Sequence, residues 1–269
     1  MECKFTARSA IGVFDSGLGG LTVVKELKRH LPFEKIVYFG DTARVPYGTK
    51  SKEAIIRFSI ENTQILLKHN VKIVVVACNS SASYALKKLR ASFSVPCVGV
   101  IGPGARKAVN TTRSGRIGVI ATSATTASGA YPRVICGLNP QVKVFSQACP
   151  LFVPLVEEGW FNHNVTEEII EHYLKPLKKE KIDTLILGCT HYPLLQKVIQ
   201  KVVGNNVILI DSAKETAQTV GAVLAQYELL RKTKLQPKHQ FFVSDKQQHF
   251  NEIAEKFLGC EIQSSIVKL

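Results

Sequence analysis

No apolar run in this 269-residue sequence approaches the roughly 18 residues that a membrane span requires; "IVVVA" and "LILG" stop after a few. The amino-terminal segment "MECKFTARSA" has no apolar stretch ahead of its small residues. A secretion signal is therefore not expected, and the cytoplasm is the expected compartment. Seven cysteines (3, 78, 97, 136, 149, 189 and 260) include no CxxC pair. An odd, scattered set argues against a disulfide framework or a zinc ribbon and for reduced thiols. Most are expected to be small core residues, Cys97 in "VPCVGV" being the plainest case. Acidic residues are scarce, with 21 Asp and Glu against 35 Lys and Arg. The excess raises the local concentration of anions. Its runs, "KKLR" (87–90), "KPLKKEK" (175–181) and "RKTKLQPK" (231–238), are dispersed without interleaved aromatics or a nucleic-acid motif. Solvated helix faces are the expected reading, with no membrane partner, and an anionic small substrate gains from the field either way.

The length allows one large domain or two medium ones. Short aliphatic runs alternate with longer amphipathic stretches. Strands are expected near Ile11–Phe14, Ile36–Phe39, Ile73–Ala77, Val98–Val100, Ile117–Ile120, Val142–Phe145, Leu185–Leu187 and Val207–Ile210. Helical periodicity covers 52–69 and 166–180. Runs apolar throughout, separated by helices, indicate parallel strands covered on both faces. The expected class is α/β with doubly wound sheets.

The sequence also echoes itself. "IGVFDSG" (11–17) resembles "IGVIATS" (117–123). A cysteine follows each, 67 residues after Ile11 at Cys78 and 72 residues after Ile117 at Cys189. Both sit where a β-branched or aliphatic run passes into polar residues, in "VVVACNSSAS" (74–83) and "LILGCTHYPL" (185–194). Two half-size α/β units of similar topology account for both distances. Ligands of such sheets bind beyond the carboxyl ends of the strands. Units packed face to face bring the two thiols to one cleft from opposite sides, each just before an expected helix start.

A free cysteine titrates near about 8.5, and a helix N-terminus or a cation lowers that value. One thiolate can take a proton from carbon while a facing thiol returns one, inverting a stereocentre without an electron sink, provided the carbanion is stabilised. The neighbours suit an amino acid. "FDSGLGG" (14–20) puts Asp15 and Ser16 at a strand end before a glycine-rich entry to a helix over 21–30. Such turns present N–H groups to anions, although the segment is neither a dinucleotide fingerprint nor a P-loop. Asp15 serves equally well as a helix cap. "DTARVPYGTKS" (41–51) is a loop by its Pro46 and Gly48. Thr190 and His191 directly follow the second thiol. A Cys-x-His pair alone is too few ligands for zinc, so no metal is expected. The residues themselves point to a cofactor-light enzyme acting on an acidic α-carbon, with the substrate open.

Taken in order, "IGVFDSGLGG", "DTARVPYG", "VVACNSSAS", "PLFVPLVEEG" and "LILGCTHYPLL" closely resemble the glutamate racemases of the aspartate/glutamate racemase superfamily. The likeness runs from about residue 10 to the end and includes "FNEIAEKFLG" (250–259), similar to the family's final helix. It implies two α/β domains with the active site between them, no pyridoxal phosphate or other cofactor, no metal, and a homodimer. Its substrates are L- and D-glutamate, the latter a building block of peptidoglycan. By the same resemblance Cys78 deprotonates D-glutamate and Cys189 the L-enantiomer. Asp15 assists near the first thiol, His191 near the second, and Glu157 is a supporting acid. Asp15, Ser16 and His191 also match substrate-binding positions. Tyr47 and Gly48 receive a carboxylate, while Asn79, Ser80 and Thr190 surround the α-carboxylate and ammonium. The family's last segment returns to the first domain, which implies 1–100 plus 212–269 as one domain and 101–211 as the other. One departure stands out: C-N-S-S-A-S replaces the family's C-N-T-A-T. Ser80 keeps threonine's hydroxyl, and Ser81 falls at a helix start, where serine is favoured. The sequence lacks a long N-terminal extension like that of activator-dependent members, which suggests no activator is needed.

Other readings compete. A racemase of another acidic amino acid, such as aspartate, differs by one methylene, worth only about 1–3 kcal/mol of discrimination. A one-thiol decarboxylase leaves the second cysteine idle. A binding or regulatory protein on this scaffold, with a nucleic-acid or gyrase association, expects a lost thiol or a clustered basic face. A Cys78–Cys189 redox disulfide leaves no room for substrate between the sulfurs.

Overall fold

The computed structural model describes residues 5–245, 247–259 and 261–268; Cys3 and Cys260 lie outside the described residues. Among the described residues, ten strands form two parallel sheets. β1 (Ala10–Asp15), β2 (Ile36–Gly40), β3 (Val71–Val76) and β4 (Cys97–Gly99) belong to the first. β5 (Arg116–Ala121), β6 (Lys143–Ala148), β7 (Thr184–Gly188) and β8 (Ile208–Ile210) form the second. The last two, β9 (Gln240–Val243) and β10 (Ser264–Ile266), return to the first sheet beside β2. The orders are β10-β9-β2-β1-β3-β4 and β6-β5-β7-β8.

Set side by side, the halves share one topology: second strand, first, third, fourth. "IGV" lies in β1 and again in β5, each the strand between the second and third of its set. β1, β2, β3 and β7 are buried along their whole length, as Val- and Ile-rich strands under helices on both faces should be. All eight expected strands form, with ends within one or two residues except at β6, which runs three residues past Phe145. β9 and β10 were not expected. "QFFV" and "SSI" are short and carry little aliphatic content, and β10 closes the edge with two of its three residues exposed. β6 also departs from the expectation of full cover. No residue along this edge strand is fully buried.

The expected helices form at Leu21–His30, Lys52–Leu67 and Asn164–Lys179. Ser51 starts the second by accepting the Ala54 N–H at 3.2 Å. That helix then buries Ile55, Phe58, Asn62 and Ile65 at helical spacing. The segment similar to the family's final helix falls in Gln247–Leu258. A continuous hydrophobic core links the halves, running from β1–β4 through Ala105, Ala108 and Ile135 to Ile117, Val119 and Ile186. A smaller cluster under Phe152, Leu174 and Tyr192 belongs to the second half. No helix among the described residues is long and apolar enough to cross a membrane. The cysteines at 78, 97, 149 and 189 are buried free thiols, and Cys136 is an exposed one.

Candidate active site

The crevice at each half opens where the strand order reverses, beyond the ends of β1 and β3 in the first half and of β5 and β7 in the second. Asp15 ends β1, and Cys78 is the second residue after β3. Thr122 follows β5, and Cys189 follows β7. The halves face each other there, so both thiols line one narrow cavity of about 20 Å³. Ser16, Tyr47, Gly48, Asn79, Ser80, Thr190 and His191 line it with them.

Cys78 caps the helix Asn79–Tyr84. Its sulfur lies 3.7 Å from the Ser16 hydroxyl, and the nearby Ser81 backbone N–H also favours the ionised form. Burial pushes this thiol up to about 12, reinforced by the Asp15 carboxylate and opposed by those two donors. At the second thiol the local structure differs from the expected helix start. Cys189 is followed by a tight helical turn, Tyr192–Leu195, and the helix proper begins only at Gln196. Pro193 within that turn has no N–H to donate. The turn leaves His191 beside Cys189, with Nδ1 at 3.9 Å from the sulfur. The other ring nitrogen lies 3.3 Å from Glu157 Oε1, without the alignment of a hydrogen bond. Burial opposes an imidazolium here, but Cys189 and Glu157, with Asp15 farther away, hold His191 up to about 10.

Asp15 and Glu157 approach the site without forming its wall. Asp15 is fully buried, and its carboxylate accepts Gly17 N–H at 3.1 Å, the Gly20 N–H, and the Thr190 hydroxyl at 3.3 Å. The glycine-rich turn thus directs its amides to an internal carboxylate. Desolvation raises Asp15 above the usual carboxylate range against the pull of His191 and these donors. Glycine is needed at 19 and 20 for a second reason: a Cβ on Gly19 would lie 2.8 Å from His191 Nδ1, and one on Gly20 2.6 Å from Asp15 Cβ. Glu157 reaches His191 from a neighbouring cavity of about 570 Å³, lined also by Lys25, Glu26 and Asp211.

The loop 41–49 is held from behind. Buried Asp41 accepts the Tyr47 hydroxyl, Arg44 Nε at 2.7 Å and the Ser244 hydroxyl at 3.0 Å. Asn62 donates to the same Tyr47 oxygen at 3.0 Å. Tyr47 therefore spends its hydroxyl on this network, and its ring and backbone form the wall. Gly48 meets the second half, where an added Cβ would come 2.6 Å from Thr122 Cβ.

Ser80 bonds to Thr122 at 3.0 Å and lies 3.3 Å from Thr125, so its hydroxyl bridges the two halves. Ser81 departs from expectation. It stands at a helix start, yet its buried hydroxyl has no partner among the described residues, because the cap position belongs to Cys78. Thr122, Thr125, Val45, Pro46 and Val153 are site residues that sequence reading missed. The repeat carried a signal for one of them: aligning Ile117 with Ile11 sets Thr122 on Ser16. Among the described residues, no three His, Cys, Asp or Glu side chains are grouped to hold a metal ion.

Such a site can move protons at one carbon from two sides. The Asp/Glu/Hydantoin racemase family pattern matches residues 11–220. Over 250 residues the chain is 52% identical to the glutamate racemase of Geobacter metallireducens, covering 93% of each. It superposes with TM-score 0.94 on the glutamate racemase isoform RacE1 from Bacillus anthracis, at 44% identity over 97% of this chain and 98% of that one. Against the Francisella tularensis glutamate racemase in complex with D-glutamate the TM-score is 0.91, at 39% identity over 97% and 98%.

Proposed function

The chain belongs to the Asp/Glu/Hydantoin racemase family, and from that premise we propose how its two halves perform the reaction. It interconverts L- and D-glutamate, an isomerisation at Cα. Cys189 takes the α-proton of L-glutamate as a thiolate, and Cys78 delivers its thiol proton to the opposite face. The reverse reaction exchanges the roles. The observation that carries this reading is that the two thiols, one from each half, line a single cavity.

The surrounding charges support a division of labour. Cys78, held up to about 12, rests as the protonated acid. His191, held up to about 10, is a cation beside Cys189 through neutral pH. After an L-to-D turnover the proton sits on Cys189 and the negative charge on Cys78. The pair resets by proton exchange, for which His191 and Asp15 are the adjacent groups. Ser16, Asn79, Ser80 and Thr190, with the backbone at Tyr47 and Gly48, bind the substrate's charged groups and stabilise the developing carbanion. Glu157 supports His191. A cavity of about 20 Å³ holds a water molecule and not an amino acid, so the halves part to admit substrate and settle around it, slightly wider than here, for chemistry.

We assign residues 1–100 plus 212–269 to one domain and 101–211 to the other, supported by the pairing of β9 and β10 with the first sheet. The same reading makes the protein a cytoplasmic homodimer that supplies D-glutamate for peptidoglycan. Incubation with L-glutamate in D2O without added cofactor tests the reaction. The expected product is D-glutamate carrying deuterium at Cα, and aspartate should turn over far more slowly. Cys78→Ala and Cys189→Ala should each abolish net inversion in both directions. Racemisation that survives either change would remove the two-thiol mechanism.

A further inference from the structure

Tyr131 belongs to the second half, in the helix Ala130–Leu138, and its side chain is buried. Its hydroxyl crosses to the first half and donates to Asn79 Oδ1 at 2.7 Å. That is the one hydrogen bond this hydroxyl makes among the described residues. Burial, with the charges of Asp211 and Cys189, pushes the phenol well above its ordinary value, so it remains a donor. The ring also packs under the second thiol's strand end, where a Cβ on Gly188 would come 3.1 Å from Tyr131 Cε2.

A primary amide has an acceptor end and a donor end. The hydroxyl of Tyr131 claims the oxygen of Asn79. Turning the amide over would set N–H₂ against O–H and strand the phenolic hydrogen in a dry site. The Nδ2 end is thereby directed away from Tyr131, and Asn79 lines the substrate cavity. A dicarboxylate needs donors at that wall, and a carboxamide oxygen presented there would repel it. We propose that Tyr131 is a positioning residue that fixes the polarity of the Asn79 amide, so that a donor meets the substrate carboxylate only when the two halves are together. The proposal rests on the racemase reading of this cavity.

The Tyr131→Phe enzyme tests it, since the ring and its packing are kept. KM for both enantiomers should rise about tenfold with kcat within about threefold. Calorimetric binding of D-glutamate then separates positioning from a structural role. In an Asn79→Ala background, or Asn79→Ser if that variant does not fold, Tyr131→Phe should change affinity by less than about twofold. An unchanged KM in Tyr131→Phe would overturn the proposal. So would an equal loss of affinity with and without Asn79. Failure of the parent protein to bind D-glutamate would instead count against the racemase reading itself.

Discussion

One methyl group at Gly19 tests whether the contact between the halves at this corner is kept during chemistry. The backbone there lies against the second half: an alanine Cβ would sit 2.8 Å from His191 Nδ1 and 2.8 Å from Thr190 Cβ, and closer still to Thr190 Oγ1. Ordinary heavy-atom contact begins at about 3.5 Å, so even with the Thr190 hydroxyl rotated away this corner must open by about 0.7 Å. Forcing a methyl into a packed site costs about 1–3 kcal/mol. For a chain of this size each kcal/mol lowers Tm by about 2–4 °C. The kinetic effect should be larger than the thermal one. A misplacement of about 1 Å between reacting groups costs about 100-fold, so 0.7 Å predicts roughly a 25-fold fall in kcat/KM. Both directions should suffer, because the displaced residues flank the second thiol and anchor Asp15. Polarimetric assays of Gly19→Ala with each enantiomer, beside a melting curve, measure this. Gly137→Ala is the control. Its Cβ meets nothing within 4 Å, and it should stabilise its helix by about 0.5–1 kcal/mol without loss of rate. A Gly19→Ala enzyme within twofold of the parent would mean that chemistry occurs in a more open arrangement.

Two other outcomes follow from the buried polar groups. Ser81→Ala removes an unpartnered buried hydroxyl and should stabilise the fold by about 1 kcal/mol, seen as a Tm rise of about 2–4 °C; a lower Tm would show that the hydroxyl is satisfied. The folded value of about 10 for His191 lies above the about 6.5 of an unfolded histidine. The stability supplied by its charge is therefore complete below pH about 6.5 and lost as pH rises through about 10. Urea titrations of the parent and His191→Asn at several pH values should show a stability gap that shrinks toward alkaline pH, and a constant gap would contradict it.

Strand positions were legible because a parallel strand under helices must be apolar along its length, which leaves a clear mark at "IVVV" and "LILG". The same rule hid β9 and β10, whose places are set by pairing with β2 and by the return of the chain. The thiols were legible as chemistry out of context at strand ends. Thr122 was overlooked although the repeat set it opposite Ser16, since a threonine after a strand is ordinary. Tyr131 and Asp41 left no local signal. Their hydroxyl and carboxylate act through Asn79 and Tyr47, and that relation exists only once distant segments meet. Ser81 shows the reverse: a favourable residue type at a helix start whose value vanished when Cys78 took the cap.

The two thiols stand at matching strand ends of a duplicated topology, yet their surroundings are unlike, one beside a carboxylate and the other beside an imidazolium. Mirror-image amino acids have identical free energies in water, so the overall equilibrium constant is one whatever the catalyst looks like. The Haldane relation then forces kcat/KM to be the same for both enantiomers. Any inequality between the two flanks must emerge as a faster turnover in one direction matched by weaker saturation in it. Unequal kcat values with equal specificity constants are the kinetic signature of a duplicated architecture whose halves have diverged.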